Sequence, residues 1–241
     1  MKKEKILGFD VCTYNEADLL NEIFKDYEME KHLFIVNVNP EIAVANYKNE
    51  KFKEILNKQK YQIPDGSGIV WASKKKNGNI KERIPGIDFM LKICEKSQDY
   101  LAKIYLYGSK PEIAQKAKRE IEKKYQNIKI VGTCDGYCDE ETAIKNINNS
   151  NADIVFVGLG SPKQENFIIN NMQKLKNVKI FMPVGGSFDV ISNTKKRAPK
   201  WMIKCNIEWL YRLFQEPKRI LRQIKIFKFI FLVIGEKNEK N

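Results

Sequence analysis

The feature that most constrains this chain is a unit that recurs along it: a short apolar run, a turn of small residues, then a helix-period segment. The apolar runs are Leu33 to Val36, Tyr61 to Ile63, Ile104 to Tyr107, Lys129 to Val131, Ile154 to Val157 and Lys179 to Met182. Strands alternating with helices at this spacing predict an α/β fold, a mostly parallel sheet with helices on both faces. In such a sheet the strand-to-helix turns all lie along one edge, and ligands bind there. The extended segments Lys5 to Phe9 and Asp10 to Thr13 and a helix from Asn15 to Tyr27 precede the first unit.

One of these turns carries a carboxylate. In Tyr61 to Trp71, YQIPDGSGIVW, a strand is expected to stop at Pro64 and to hand over through Asp65-Gly66-Ser67-Gly68 to a helix starting near Ile69. Pro64 biases Ile63 to an extended conformation, and Gly66 and Gly68 lack Cβ atoms, so another molecule can approach the backbone. Asp65 is then either the N-cap of the following helix or a carboxylate presented to a ligand. The turn after Leu33 to Val36 reads Asn37-Val38-Asn39-Pro40, where Asn39 can cap and Pro40 can open a helix; Asn37 and Asn39 project at a strand end. Arg83, just before the helix opened by Pro85-Gly86, is a solvated charge or an anion ligand.

The remaining turns are rich in glycine. Backbone N–H groups at such turns and at helix N-termini bind phosphate, so Gly108, Gly158, Gly160, Gly185 and Gly186 point to a nucleotide or sugar phosphate. Neither GxGxxG with a well-placed acid nor GxxxxGK[ST] occurs, against a standard dinucleotide site and a P-loop. An Asp-x-Asp pair for a metal–diphosphate bridge is also lacking. A leaving diphosphate would have to be stabilised by Arg, Lys and backbone N–H groups. No cofactor and no metal are expected.

Charge marks the C-terminal end. The chain carries +13 over 241 residues, and from Lys195 onward 13 Lys/Arg face 4 Asp/Glu. Such a field attracts nucleic acid, anionic lipid or phosphorylated substrates. Trp201 to Phe214 reads as one helix with Ile203, Ile207, Leu210 and Phe214 on a face. Beyond Pro217, Ile220, Ile224, Phe227 and Phe231 repeat at helical spacing, flanked by Lys218, Arg219, Arg222, Lys225 and Lys228. That pattern predicts an amphipathic helix lying on an anionic membrane surface. An aliphatic and aromatic stripe in place of a nucleic-acid module disfavours nucleic acid as a partner. Apolar faces such as Trp201 to Phe214 could also pair copies into a homo-oligomer. The division expected is 1–194 as the catalytic core and 195–241 as a basic helical appendage.

The five scattered cysteines predict reduced thiols; Cys134 and Cys138, the close pair, lack further ligands for zinc and read as half-buried thiols on a turn. The N-terminus has no apolar core of a signal peptide, and no run reaches the 18 or so apolar residues of a membrane span.

Six strings, NVNPEI, PDGSGIV, VGLGSPKQE (Val157 to Glu165), VGGSFDV (Val184 to Val190), KRAPKW (Lys196 to Trp201) and EWLYRLFQEPKR (Glu208 to Arg219), together resemble the WecG/TagA/CpsF glycosyltransferases, family 26, and most closely their TagA-type N-acetylmannosaminyltransferase branch. The resemblance spans essentially the whole chain. It implies a Rossmann-like fold and an inverting, metal-independent transfer of N-acetylmannosamine from its UDP derivative to the 4-hydroxyl of N-acetylglucosamine on undecaprenyl diphosphate. The step belongs to wall teichoic acid linkage-unit synthesis, on the cytoplasmic inner face of the cell membrane. It implies Asp65 as the base, and Asn37, Asn39, Gly66, Arg83, Gln164 and Glu165 as substrate contacts. Arg212, Arg219 and Arg222 of the appendage would come over the diphosphate. The pattern departs at Asn37, where many relatives carry Thr; an Asn can still hydrogen-bond a sugar hydroxyl. Gln164 and Glu165 have a second reading, as caps of their own helix. UDP-N-acetylmannosaminuronate or UDP-glucose could replace UDP-N-acetylmannosamine as donor, and a nucleotide-dependent oxidoreductase on a similar sheet is the reading that the missing fingerprint disfavours.

Overall fold

The apolar runs assemble into one sheet. In the computed structural model, which describes residues 2–205, 207–215 and 220–238, β3 (Leu33–Val38), β4 (Tyr61–Pro64), β5 (Lys103–Gly108), β6 (Lys129–Cys134), β7 (Ile154–Gly158) and β8 (Ile180–Pro183) pair in the order β4-β3-β8-β7-β5-β6. Every pairing is parallel. The side chains at 204, 212, 220–223, 237 and 238 lie outside the described set. The α/β expectation with helices on both faces is therefore met.

Period-2 alternation divides the strand residues between the two faces. Phe34, Val36, Tyr105, Tyr107, Val155, Val157 and Phe181 face one cluster, which takes in α2 (Pro40–Ala45), α3 (Glu50–Asn57), α4 (Ser67–Lys75), α7 (Glu140–Asn149) and α8 (Lys163–Asn171). Leu33, Ile35, Tyr61, Ile63, Ile104, Leu106, Ile154, Phe156, Ile180 and Met182 face the other. That one is covered by α1 (Glu16–Glu28), α5 (Gly86–Ser97) and α6 (Ile113–Lys124). Asn37 and Asp65 continue the second register, so both belong to the α5 face of the sheet.

The two N-terminal extended segments form an antiparallel hairpin, β1 (Lys3–Ile6) and β2 (Phe9–Cys12), separate from the main sheet. Its two-residue turn, Leu7-Gly8, has both φ values positive (47° and 86°), the geometry that matches strand twist in tight hairpins. The hairpin is pinned to α4 by Glu4, whose Oε2 accepts from the Ser73 hydroxyl at 2.8 Å.

The C-terminal end departs from expectation in two places. The single helix expected over Trp201 to Phe214 is two, α10 (Lys200–Lys204) and α11 (Glu208–Gln215). Met202 and Glu208 are both buried, yet on an unbroken helix they would lie about 120° apart. The interruption brings both against the core. The final helix, α12 (Ile220–Asn238), does carry an exposed stripe: Ile224, Phe227 and Phe231 are 58%, 65% and 75% exposed. Its opposite face, through Phe229 and Val233, is fully buried in the cluster with α2 and α4. Burying two such side chains contributes about 1.5–3 kcal/mol each. Among the described residues no helix is long and apolar enough to cross a membrane.

Candidate active site

A parallel sheet gathers its strand C-termini on one edge, and the Asp65 corner stands at the β4 end of that edge. The Asp65 backbone N–H donates to Val38 O at 2.8 Å, continuing the β3–β4 register by one residue. The reading of Asp65 as the cap of α4 fails: the cap residue is Gly66, with φ at +125°, and no side-chain cap bond is made there. The turn inserts Gly66 between the carboxylate and its helix. The N–H that reaches Asp65 Oδ1 instead, at 3.4 Å, is that of Gly86, the first residue of α5. The helix preceded by Pro85 has no side-chain cap of its own, and a carboxylate there is stabilised by the partial positive charge of the helix terminus.

Asn37 sits beside this contact. It is buried, its Nδ2 donates to Pro183 O at 2.8 Å across to β8, and its Oδ1 has no partner among the described residues. Because a carbonyl only accepts, this bond fixes which end of the amide points where. Gly86 touches both groups: a Cβ there would stand 2.8 Å from Asn37 Nδ2 and 3.6 Å from Asp65 Oδ2. Asn37, Asp65 and the α5 N-terminus thus converge around a buried acceptor.

Asn39 does what its sequence context predicts, accepting from Ile42 N at 3.0 Å as the cap of α2 with Pro40 in the first turn. Gly68 differs from expectation, because a Cβ there would meet Pro40 Cγ at 2.6 Å and Phe229 at 3.6 Å. The space it leaves is filled by the chain's own α2 and α12. Arg83 is not a solvated charge: its Nη2 contacts Glu208 Oε2 of α11 at 3.5 Å, with side chains 16% and 8% exposed.

A second part of the edge lies between β5 and β7, whose following connections run to opposite sides of the sheet, a topological switch point. Gly108 and Gly158 are paired there, and a Cβ on Gly108 would overlap the Gly158 backbone at 2.5 Å. These two glycines serve strand approach. Around Gly160 and Gly185 there is open space, and Gly186 has only Asp189 Oδ2 near, at 3.6 Å, so the loops after β7 and β8 leave room over these three glycines. Ser109 ties these loops together. It donates through its hydroxyl to Asp189 Oδ2 at 3.3 Å and through its N–H to Gly158 O at 2.8 Å.

Gln164 and Glu165 do not cap α8, whose cap residue is Pro162 and which has no side-chain cap bond. Gln164 Oε1 accepts from Gly185 N at 3.0 Å and its Nε2 donates to Glu165 Oε1 at 2.9 Å, which fastens α8 to the loop after β8. Glu165 is buried, its Oε2 has no hydrogen-bond partner among the described residues, and burial pushes its carboxyl above the ordinary range against the lowering effect of Gln164. Cys134, at the end of β6, is a half-buried thiol pushed up to about 12 by burial and by its contact with Cys138.

Of the appendage arginines, Arg219 lies outside the described residues, and the side chains of Arg212 and Arg222 do too. Sequence reasoning missed Gly86, Pro183, Arg197 and Glu208. Arg197 Nη2 contacts Asp88 Oδ2 at 2.6 Å in the first turn of α5. Only Gly86 carried a local signal, a Pro-Gly pair at a helix start; the others act through partners more than a hundred residues away. Among the described residues no group of three or more His, Cys, Asp or Glu side chains is placed to hold a metal ion.

The chain is similar to known proteins along its length. The model of the glycosyl transferase WecG/TagA/CpsF family matches residues 4–241. An N-acetylglucosaminyldiphosphoundecaprenol N-acetyl-beta-D-mannosaminyltransferase of Bacillus subtilis (strain 168) is 39% identical over 242 residues, covering 100% of this chain and 94% of that protein. The protein of the same description from Staphylococcus aureus (strain MRSA252) is 35% identical over 233 residues, covering 94% and 91%.

Proposed function

The chain belongs to the WecG/TagA/CpsF family of glycosyl transferases, and from that premise we propose that it transfers N-acetylmannosamine from UDP-N-acetylmannosamine to the 4-hydroxyl of N-acetylglucosamine on undecaprenyl diphosphate. The observation that carries the reading is the Asp65 corner: a carboxylate at a strand C-terminus, not spent on its own helix, beside the buried and unpartnered Asn37 Oδ1.

In this reading Asp65 takes the proton of the acceptor hydroxyl as that oxygen attacks the anomeric carbon. The bond to UDP breaks on the opposite face, the electron pair leaves with UDP, and the configuration inverts. Asn37 Oδ1 accepts from a sugar hydroxyl, and the Gly86 N–H keeps the carboxylate oriented. Fixing two bound sugars in reacting geometry supplies much of the remaining acceleration. The nucleotide lies over Gly160, Gly185 and Gly186, and Gln164 holds that loop in place. Arg83 and the appendage residues Arg212, Arg219 and Arg222 neutralise the diphosphate charge.

The division into a core, 1–194, and an appendage, 195–241, belongs to the same proposal. The exposed Ile224, Phe227 and Phe231 stripe beside the half-buried Lys225 and the exposed Lys228 supports peripheral docking on an anionic bilayer, on the inner face of the membrane where UDP-sugars are available. Incubation with an N-acetylglucosaminyl diphospholipid in anionic vesicles and a panel of UDP-sugars tests the whole reading. UDP release and a product mass increased by one N-acetylhexosamine are expected with UDP-N-acetylmannosamine. Turnover with none of the panel, or with UDP-glucose alone, would overturn it.

A further inference from the structure

Arg83 and Glu208 meet from 125 positions apart in the chain. The segment that carries Arg83 runs alongside the catalytic corner: Ile84 N donates to Pro64 O at 2.9 Å, and Gly86 N reaches Asp65 Oδ1. Glu208 opens α11, in the part of the chain that leads to the appendage arginines. Its carboxylate is 8% exposed, and it also lowers the energy of the Arg197 charge, which is held by Asp88 on α5. Two guanidinium groups and two carboxylates therefore join the C-terminal segment to the first turn of α5 and the segment just before it.

The Arg83–Glu208 contact is long, 3.5 Å, between two side chains that have both lost most of their water. It is also not the two-pronged geometry in which Arg binds a carboxylate most strongly. A guanidinium has five donors in a fixed fork. Glu208 engages one nitrogen of Arg83, and the contact sets where the fork stands without consuming it.

We propose that Glu208 is a positioning residue for the transfer reaction, holding Arg83 beside the Asp65 corner so that its guanidinium faces the diphosphate. The inference rests on the proposed function and deepens it. A chain that has lost α11 then has a misplaced Arg83.

The test is a double-mutant cycle in the full-length protein, with acceptor in anionic vesicles and kcat and KM measured for R83A, E208Q, E208D and the R83A/E208Q pair. If Glu208 works through Arg83, each single change lowers kcat by about tenfold or more. The pair is then no worse than R83A alone within about twofold, because the second change removes an effect already lost. E208D recovers part of the rate, and vesicle co-sedimentation and thermal midpoint stay close to wild type for E208Q. If Glu208 only fastens α11, the two losses multiply, or E208Q releases the protein from vesicles, and either result overturns the inference. An inactive wild-type enzyme removes the functional reading itself, and this inference with it; an active one with multiplying losses removes only the role of Glu208.

Discussion

At the residue scale, the site depends on a residue with no side chain. Gly86 leaves the gap into which the Asn37 amide fits, and an added Cβ would lie 2.8 Å from Nδ2. Replacement by Ala should be harmless or mildly favourable to the helix, since Ala is the better helix former. At the site it must push Asn37, and with it the neighbourhood of Asp65. G86A should therefore lose about tenfold or more in kcat while keeping its circular dichroism and thermal midpoint; full activity would show that Asn37 is not where the acceptor binds. Asp65 itself was legible in the sequence because Pro64 and the glycines after it mark a corner at a strand end. The bond from Asn37 to Pro183 O was not, because 146 residues separate the partners and nothing local distinguishes an Asn that turns outward from one that crosses to the next strand.

At the scale of elements, α1 is joined to β4 by one acid. Asp26 is buried and accepts from Lys31, Lys60 and the Tyr61 hydroxyl. Burial pushes its carboxyl up, the three donors together outweigh that, and the result is about 2. A group held below its unfolded value of about 3.9 contributes stability that is present above that pH. The contribution is lost as pH falls toward 2. D26N should cost about 1–3 kcal/mol at pH 7 and progressively less in thermal or urea unfolding between about pH 4 and pH 2; a difference that does not change with pH would contradict the assignment. The last helix gives a second test at this scale. F229A, which empties a fully buried site, should cost about 3–5 kcal/mol. F227A and F231A, on the exposed stripe, should leave stability within about 0.5 kcal/mol and weaken vesicle binding. The stripe could be read from its spacing, because amphipathic periodicity shows where an apolar face is. Spacing does not say that Phe229 and Val233, on the opposite side, are claimed by α2 and α4. The same limit explains α10 and α11: an uninterrupted helical pattern over Trp201 to Phe214 carries no sign that Glu208 will be drawn to Arg83.

For the whole molecule, the sheet was the most legible feature. Six apolar runs with glycine turns leave few arrangements other than a parallel sheet, and the edge where its turns collect is where Asn37, Asp65, Gln164 and the open glycines are found. Strand order was not legible, and the switch point between β5 and β7 emerges only from the pairing. The basic C-terminal part is continuous with the core through Arg197–Asp88, Arg83–Glu208 and Lys76–Glu236, so lipid docking and sugar transfer are expected to be properties of one body. The central claim is that the carboxylate on the β4 corner takes the acceptor proton. The most direct measurement is turnover of UDP-N-acetylmannosamine by D65N, which keeps the side-chain shape and an oxygen for the Gly86 N–H but cannot serve as a base. A loss of about a hundredfold or more in kcat, with UDP affinity unchanged, is the predicted result; turnover at the wild-type rate would contradict the claim.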